Sequence, residues 1–187
     1  MISAKTLLAS GLLAIAAAPI AGAQQNPPPG CVQDMHDDFD FWVGEWNVYA
    51  PDNGPYQGHN LIVKSQGGCL ITEHWTGAGG SSGESMNFYD PLVSAWRQVW
   101  VSPSSFIDYT GGLNADGAME LTGEIANPVN GRRAPFRGVW TALEDGSVRQ
   151  HFQQQDAEGE WADWFVGIYV RQEDDPRAEE AAAARGE

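Results

Sequence analysis

The sequence predicts an all-β protein: an antiparallel meander β-barrel of about ten strands, preceded by a short helical lead-in. Two observations carry this. Turn signals recur every ten to fifteen residues across the middle of the chain, and the stretches between them are short and rich in β-branched and aromatic residues. The turns are Pro51-Asp52-Asn53-Gly54-Pro55, residues 77–83, Asp90-Pro91, Pro103-Ser104-Ser105, Asn114-Ala115-Asp116-Gly117, residues 127–131, Glu144-Asp145-Gly146 and residues 156–159. Gly, Asn and Asp supply the positive φ angles and local side-chain bonds that hairpins need. Strands are expected near residues 46–49, 59–64, 69–76, 85–89, 96–101, 106–109, 119–125, 136–143, 148–155 and 164–171, with no long helical pattern among them. Closing the meander into a barrel removes exposed edges; a sandwich is the rival architecture.

The ends read differently. Residues 1–23 have the form of a signal peptide: Lys5, an apolar run over residues 7–20, and Ala21-Gly22-Ala23 as the cleavage site. Removing them takes away one base and no acid, so the formal charge moves from −15 to −16. That charge argues against nucleic acid and anionic membrane surfaces as partners, and solubility alone accounts for it too. The expected location is periplasmic or secreted, without membrane insertion, as a monomer or homodimer. Residues 24–33 read as a Pro-rich linker, residues 34–172 as the barrel domain and residues 173–187 as an acidic, Ala-rich disordered tail. Two cysteines in an oxidising compartment suggest one disulfide, Cys31–Cys69. Its loop would be worth about 4 kcal/mol in the chain-entropy picture.

The stretch from Phe39 through Trp42, Gly44 and Trp46 to Tyr49 places a Gly-x-Trp step at the start of the first strand. It is followed in order by Gly67-Gly68-Cys69-Leu70-Ile71-Thr72-Glu73-His74-Trp75, Asn87-Phe88-Tyr89-Asp90-Pro91 and Trp96-Arg97-Gln98-Val99-Trp100-Val101. With these segments the chain resembles a bacterial family of secreted, lipocalin-like proteins of unknown function, over residues 39 to 171. The resemblance implies a calycin-type barrel in which Gly44 turns the chain into the first strand, Trp46 closes one end and Arg171 stacks on Trp46. It brings no catalytic residues with it, and ten strands depart from the eight usual in lipocalins.

Alternation along strands nominates an interior, because residues i and i+2 share a face. Met119 and Leu121 mark an ordinary amphipathic strand, and Leu61 and Val63 read the same way. Glu73 goes with Trp75, Asn87 with Tyr89, Trp96 with Gln98 and Trp100, and Arg149 with His151 and Gln153. If these faces point inward, with Trp140 added, the interior is a Trp-rich cavity with a few orienting polar groups, which describes a small-molecule site. One step of register reverses the choice and turns Val148, Gln150, Phe152 and Gln154 inward instead. Each Trp is equally serviceable as core filling.

The leading expectation is a barrel that binds a small apolar or aromatic molecule. Trp75, Trp96, Trp100, Trp140 and Tyr89 would be its walls, and Asn87, Gln98 and Arg149 its polar contacts. A second expectation is cofactor-independent acid–base chemistry of lyase or isomerase type by Glu73 and His151, a carboxyl in aromatic surroundings beside an imidazole. A third is a filled barrel with a structural role at the cell envelope. His36, His59, His74 and His151 are scattered without metal-ligand spacing, so no metal and no cofactor is expected. The Gly-rich run at 77–83 lacks the Lys and helix of a phosphate loop and reads as a rim loop.

Overall fold

The computed structural model describes residues 31–187. The expected signal peptide and residues 24–30 of the expected linker lie outside the described residues. Ten strands run in sequence: β1 (Gly44–Tyr49), β2 (Tyr56–Ser65), β3 (Leu70–Gly77), β4 (Ser82–Asp90), β5 (Ala95–Val101), β6 (Phe106–Leu113), β7 (Met119–Asn127), β8 (Arg132–Ala142), β9 (Val148–Gln155) and β10 (Trp161–Arg171). Each pairs antiparallel with the next, and β10 returns to β1 with Arg171 opposite Trp46, so the sheet is a closed barrel. The turn residues act as their chemistry suggests. Asn114, Asn127, Asp145 and Asp156 each accept a backbone N–H two residues on, which fixes the hairpins locally.

One end of the barrel is plugged. The lead-in forms two 3-10 turns, Asp34–His36 and Asp40–Trp42. Phe39 and Trp42 stack on each other at 4.9 Å between ring centroids, and both rings pack against Trp140. All three are fully buried. Trp46 donates its indole N–H to the Trp42 carbonyl at 2.9 Å, and Arg171 lies over the Trp46 ring at 4.4 Å. Gly44 has φ +149°, and a Cβ there would sit 2.5 Å from the Arg171 guanidinium; only glycine admits both the backbone and the stacked arginine. The Cys31–Cys69 disulfide ties the lead-in to the chain just ahead of β3. Lys64 adds a clamp, donating to the His36 carbonyl and to Asp37 and Asp40.

Two expectations are corrected. Residues 173–187 are a folded cover rather than a disordered tail. A 3-10 turn (Gln172–Asp174) leads into a helix, α1 (Ala178–Arg185), that lies on the outer face of the barrel. Ala181 is buried against Tyr49 and Tyr56. The anchoring is mostly polar: Asp175 accepts from Asn47 at 2.7 Å and from Tyr49 at 2.6 Å, Arg177 lies 4.0 Å over the Tyr49 ring, and Arg185 donates to Asn47. Leu61 and Val63 point outward and are exposed, while Asn60 and Ile62 of β2 point in and are buried. The apolar pair was the wrong guide there because the inner face of β2 carries a polar residue with a structural partner.

Among the described residues no helix is long and apolar enough to cross a membrane. The disulfide fits an oxidising compartment.

Candidate functional site

Reading the inward residues of each strand from the plugged end gives three levels. On β5 they are Trp96, Gln98 and Trp100; on β3, Ile71, Glu73 and Trp75; on β9, Val148, Gln150 and Phe152. The first level belongs to the plug, the second is polar and the third is aromatic.

The polar level is one hydrogen-bonded belt across the barrel. Tyr109 donates to Gln98, Gln98 to Asn87, Asn87 to Ser85 at 2.9 Å, and Ser85 to Glu73 at 2.7 Å. From the other side Asn60 donates to Glu73 at 2.7 Å and to Tyr169 at 3.2 Å, and Tyr169 donates to Gln150. The relay from Tyr109 and the single donor Asn60 therefore converge on one carboxyl group, while a branch from Asn60 through Tyr169 runs away to Gln150. Glu73 is only 4% exposed. Burial pushes its pKa up to about 7, against the lowering influence of its bonds to Asn60 and Ser85 and of the His74 imidazole. Burial also raises Tyr109 and Tyr169 well above the ordinary phenol range, and the Glu73 charge adds to it; both stay protonated donors.

Above the belt the barrel is hollow. A cavity of about 400 Å³ has Glu73, Gln150 and Tyr169 at its floor, and Trp75, Trp100, Ile107, Phe152 and Phe165 as walls. Ala78, Gly79 and Ser81 of the β3–β4 turn form its rim together with Gln57 and Trp164. Two register irregularities shape that rim. Between Gly58 and Tyr56 the β1–β2 ladder skips Gln57, and between Asp163 and Phe165 the β10–β9 ladder skips Trp164. Bulges of this kind re-aim side chains at barrel mouths. Trp164 is 48% exposed, meets Phe136 edge-on and lies tilted against Phe152. Trp75 meets Phe165 edge-on and donates to Ser81 at 3.4 Å.

The tryptophan walls lie flat because glycines face them. A Cβ on Gly58 would stand 2.6 Å from the Trp75 ring, and one on Gly83 would overlap the Trp100 ring. Gly83→Val is expected to drive Trp100 into the cavity and to weaken binding of a cavity ligand by about tenfold or more, because overpacking displaces side chains. Calorimetric titration of the variant checks this.

The expected site residues fall into three groups. Glu73, Trp75 and Trp100 meet at the cavity, while Asn87 and Gln98 support Glu73 from the belt. Trp96, Trp140 and Tyr89 belong to the plugged end instead: Trp96 donates to the Met35 carbonyl, Tyr89 meets the His36 ring, and Trp140 is fully buried against Phe39 and Trp42. Arg149 and His151 are corrections. Val148, Gln150 and Phe152 occupy the inner face of β9, so alternation turns Arg149 and His151 outward. The His151 imidazole sits 2.6 Å from Asp163 on the outer surface, and it does not share a face with Glu73. The sequence reading missed Asn60, Ser85, Tyr109, Tyr169, Phe165 and Ile107. Asn60, Tyr109 and Tyr169 were detectable as polar members of otherwise apolar i, i+2 sets.

Fold and site together define a closed ten-stranded barrel, compatible with a lipocalin-like fold, with one occluded end and one aromatic pocket. No family model matches the chain, and it matches no curated protein sequence.

Proposed function

We propose that this protein is an exported, lipocalin-like barrel, monomeric or homodimeric in the periplasm or outside the cell, that binds a small molecule with an apolar or aromatic body. The observation that carries this reading is the cavity of about 400 Å³ walled by Trp75, Trp100, Phe152 and Phe165 and floored by a single buried carboxyl group. Such a volume lies at the small end of ligand pockets, and large aromatic walls with few polar groups are their usual lining. A barrel filled throughout has no use for the hollow above the belt.

The test is Trp75→Ala. It removes one wall at the half-open end, so binding of 2-phenylethanol, a compact aromatic probe, should weaken by about tenfold while the melting temperature moves by only a few degrees. Unchanged affinity would sink the reading.

A second reading, cofactor-independent proton transfer, is favoured by one observation: a carboxyl whose pKa stands at about 7 is matched to general acid–base work near neutral pH. It rests on Glu73 without His151. Turnover of a bound compound that disappears in Glu73→Gln while binding persists would carry it.

A further inference from the structure

We infer that the cavity selects a compact aromatic amine, bound as its ammonium ion, with the charged head on Glu73 and the ring among the tryptophans. This rests on the binding reading above and names the ligand class for the same pocket.

Glu73 carries the one carboxyl group among the cavity-lining residues, and the unpartnered hydroxyl of Tyr56 can accept as well as donate. Glu73 receives one donor on each carboxylate oxygen, from Asn60 and from Ser85, and a carboxylate oxygen has capacity for a second. Gln57 lines the mouth with a buried Oε1 that has no hydrogen-bond partner. Buried acceptors left unpaired are costly, so a ligand that donates is favoured over one that accepts. Among the described lining residues there is no Lys, Arg or His to receive an anion, since Arg149 and His151 point outward. An ammonium ion offers three donors and a charge. Its bond to a carboxylate is of the strong, charge-assisted kind, and the Trp75 and Trp100 rings add cation–π attraction on the way down. The net charge of −15 draws cations toward the mouth and repels anions.

Proton linkage follows from the same geometry. The titratable groups facing Glu73 from neighbouring strands are Tyr109 and Tyr169, both held protonated, with His74 acting from the outer face. Below neutral pH an arriving ammonium meets a protonated carboxyl, whose proton must leave to solvent for the ion pair to form. Amine affinity therefore rises with pH through the Glu73 titration, and alcohol affinity does not.

Three probes of one shape test this by calorimetry: 2-phenylethylamine, 2-phenylethanol and phenylacetate. At about pH 8 the amine should bind about tenfold or more tightly than the alcohol, and phenylacetate more weakly than either. On moving to about pH 5.5 the amine should lose about tenfold in affinity and the alcohol should not change. Glu73→Gln should level amine and alcohol. Gln57→Leu, at the mouth and outside the belt, should weaken the amine selectively by a few-fold even if the Glu73 variant fails to fold. An alcohol or carboxylate that binds as tightly as the amine at about pH 8 overturns the inference and leaves the binding reading standing. Failure of all three probes to bind overturns both.

Discussion

Glu73→Gln is expected to stabilise the protein above neutral pH and to leave it nearly unchanged in mild acid. The folded-state pKa of Glu73 is raised to about 7 from an ordinary 4.5, burial being the main cause. The folded protein therefore holds a proton that the unfolded chain has released between those values. Stability from this group is full below about pH 4.5, falls as pH rises toward 7 and stays low beyond it. A gap of that size corresponds to about 3 kcal/mol. Glutamine can keep one acceptor toward Asn60 and turn its amide N–H toward Ser85, so it mimics the protonated acid. Denaturant unfolding of both proteins at about pH 5 and pH 8 measures the difference. Equal pH dependence in the two would show that Glu73 is ionised and well solvated when folded. A group that lowers stability at neutral pH and sits at the floor of the aromatic cavity fits a role in the site better than one in the fold, because functional positions commonly trade stability for activity.

The second large effect belongs to the other end of the barrel. Trp42→Ala should destabilise the protein by about 3–5 kcal/mol, the usual range for removing a buried aromatic from a core. Trp42 is fully enclosed between Phe39 and Trp140, and its carbonyl receives the Trp46 indole N–H. For a domain of this size the melting temperature should drop by roughly 10 °C. Trp164→Ala, at the exposed rim, should cost about 1 kcal/mol or less. Thermal melts of the two variants side by side check the contrast: similar losses in both would mean that plug and mouth are not the distinct regions described.

Much of the barrel was legible in the sequence because its signals are local. Asx-type turn residues announce hairpins wherever they occur, and ten strands emerge from the spaces between them. The Gly44, Trp46 and Arg171 arrangement was legible through a resemblance, and the glycine's contact with the guanidinium explains why that residue type stands there. The inner face of β9 was not legible. Val148, Gln150, Phe152 and Gln154 alternate with Arg149, His151 and Gln153, so both faces carry polar groups and the pattern does not choose between them. The choice is made by Tyr169 on the neighbouring strand, which needs Gln150 as its acceptor. The docked α1 was invisible for a related reason. It has almost no apolar face, and a polar clasp of Asp175, Arg177 and Arg185 holds it to Asn47 and Tyr49, residues far away in the chain. Long-range polar pairings of this kind leave no periodicity to read.

The most direct measurement is a two-dimensional NMR titration that follows the eight tryptophan indole N–H signals while 2-phenylethylamine, and separately 2-phenylethanol, is added. The account predicts that the signals of Trp75, Trp100 and Trp164 shift, while those of Trp42, Trp46, Trp96 and Trp140 in the plugged end hold still. Shifts centred on the plug, or no shift in any indole at saturating probe, would contradict it.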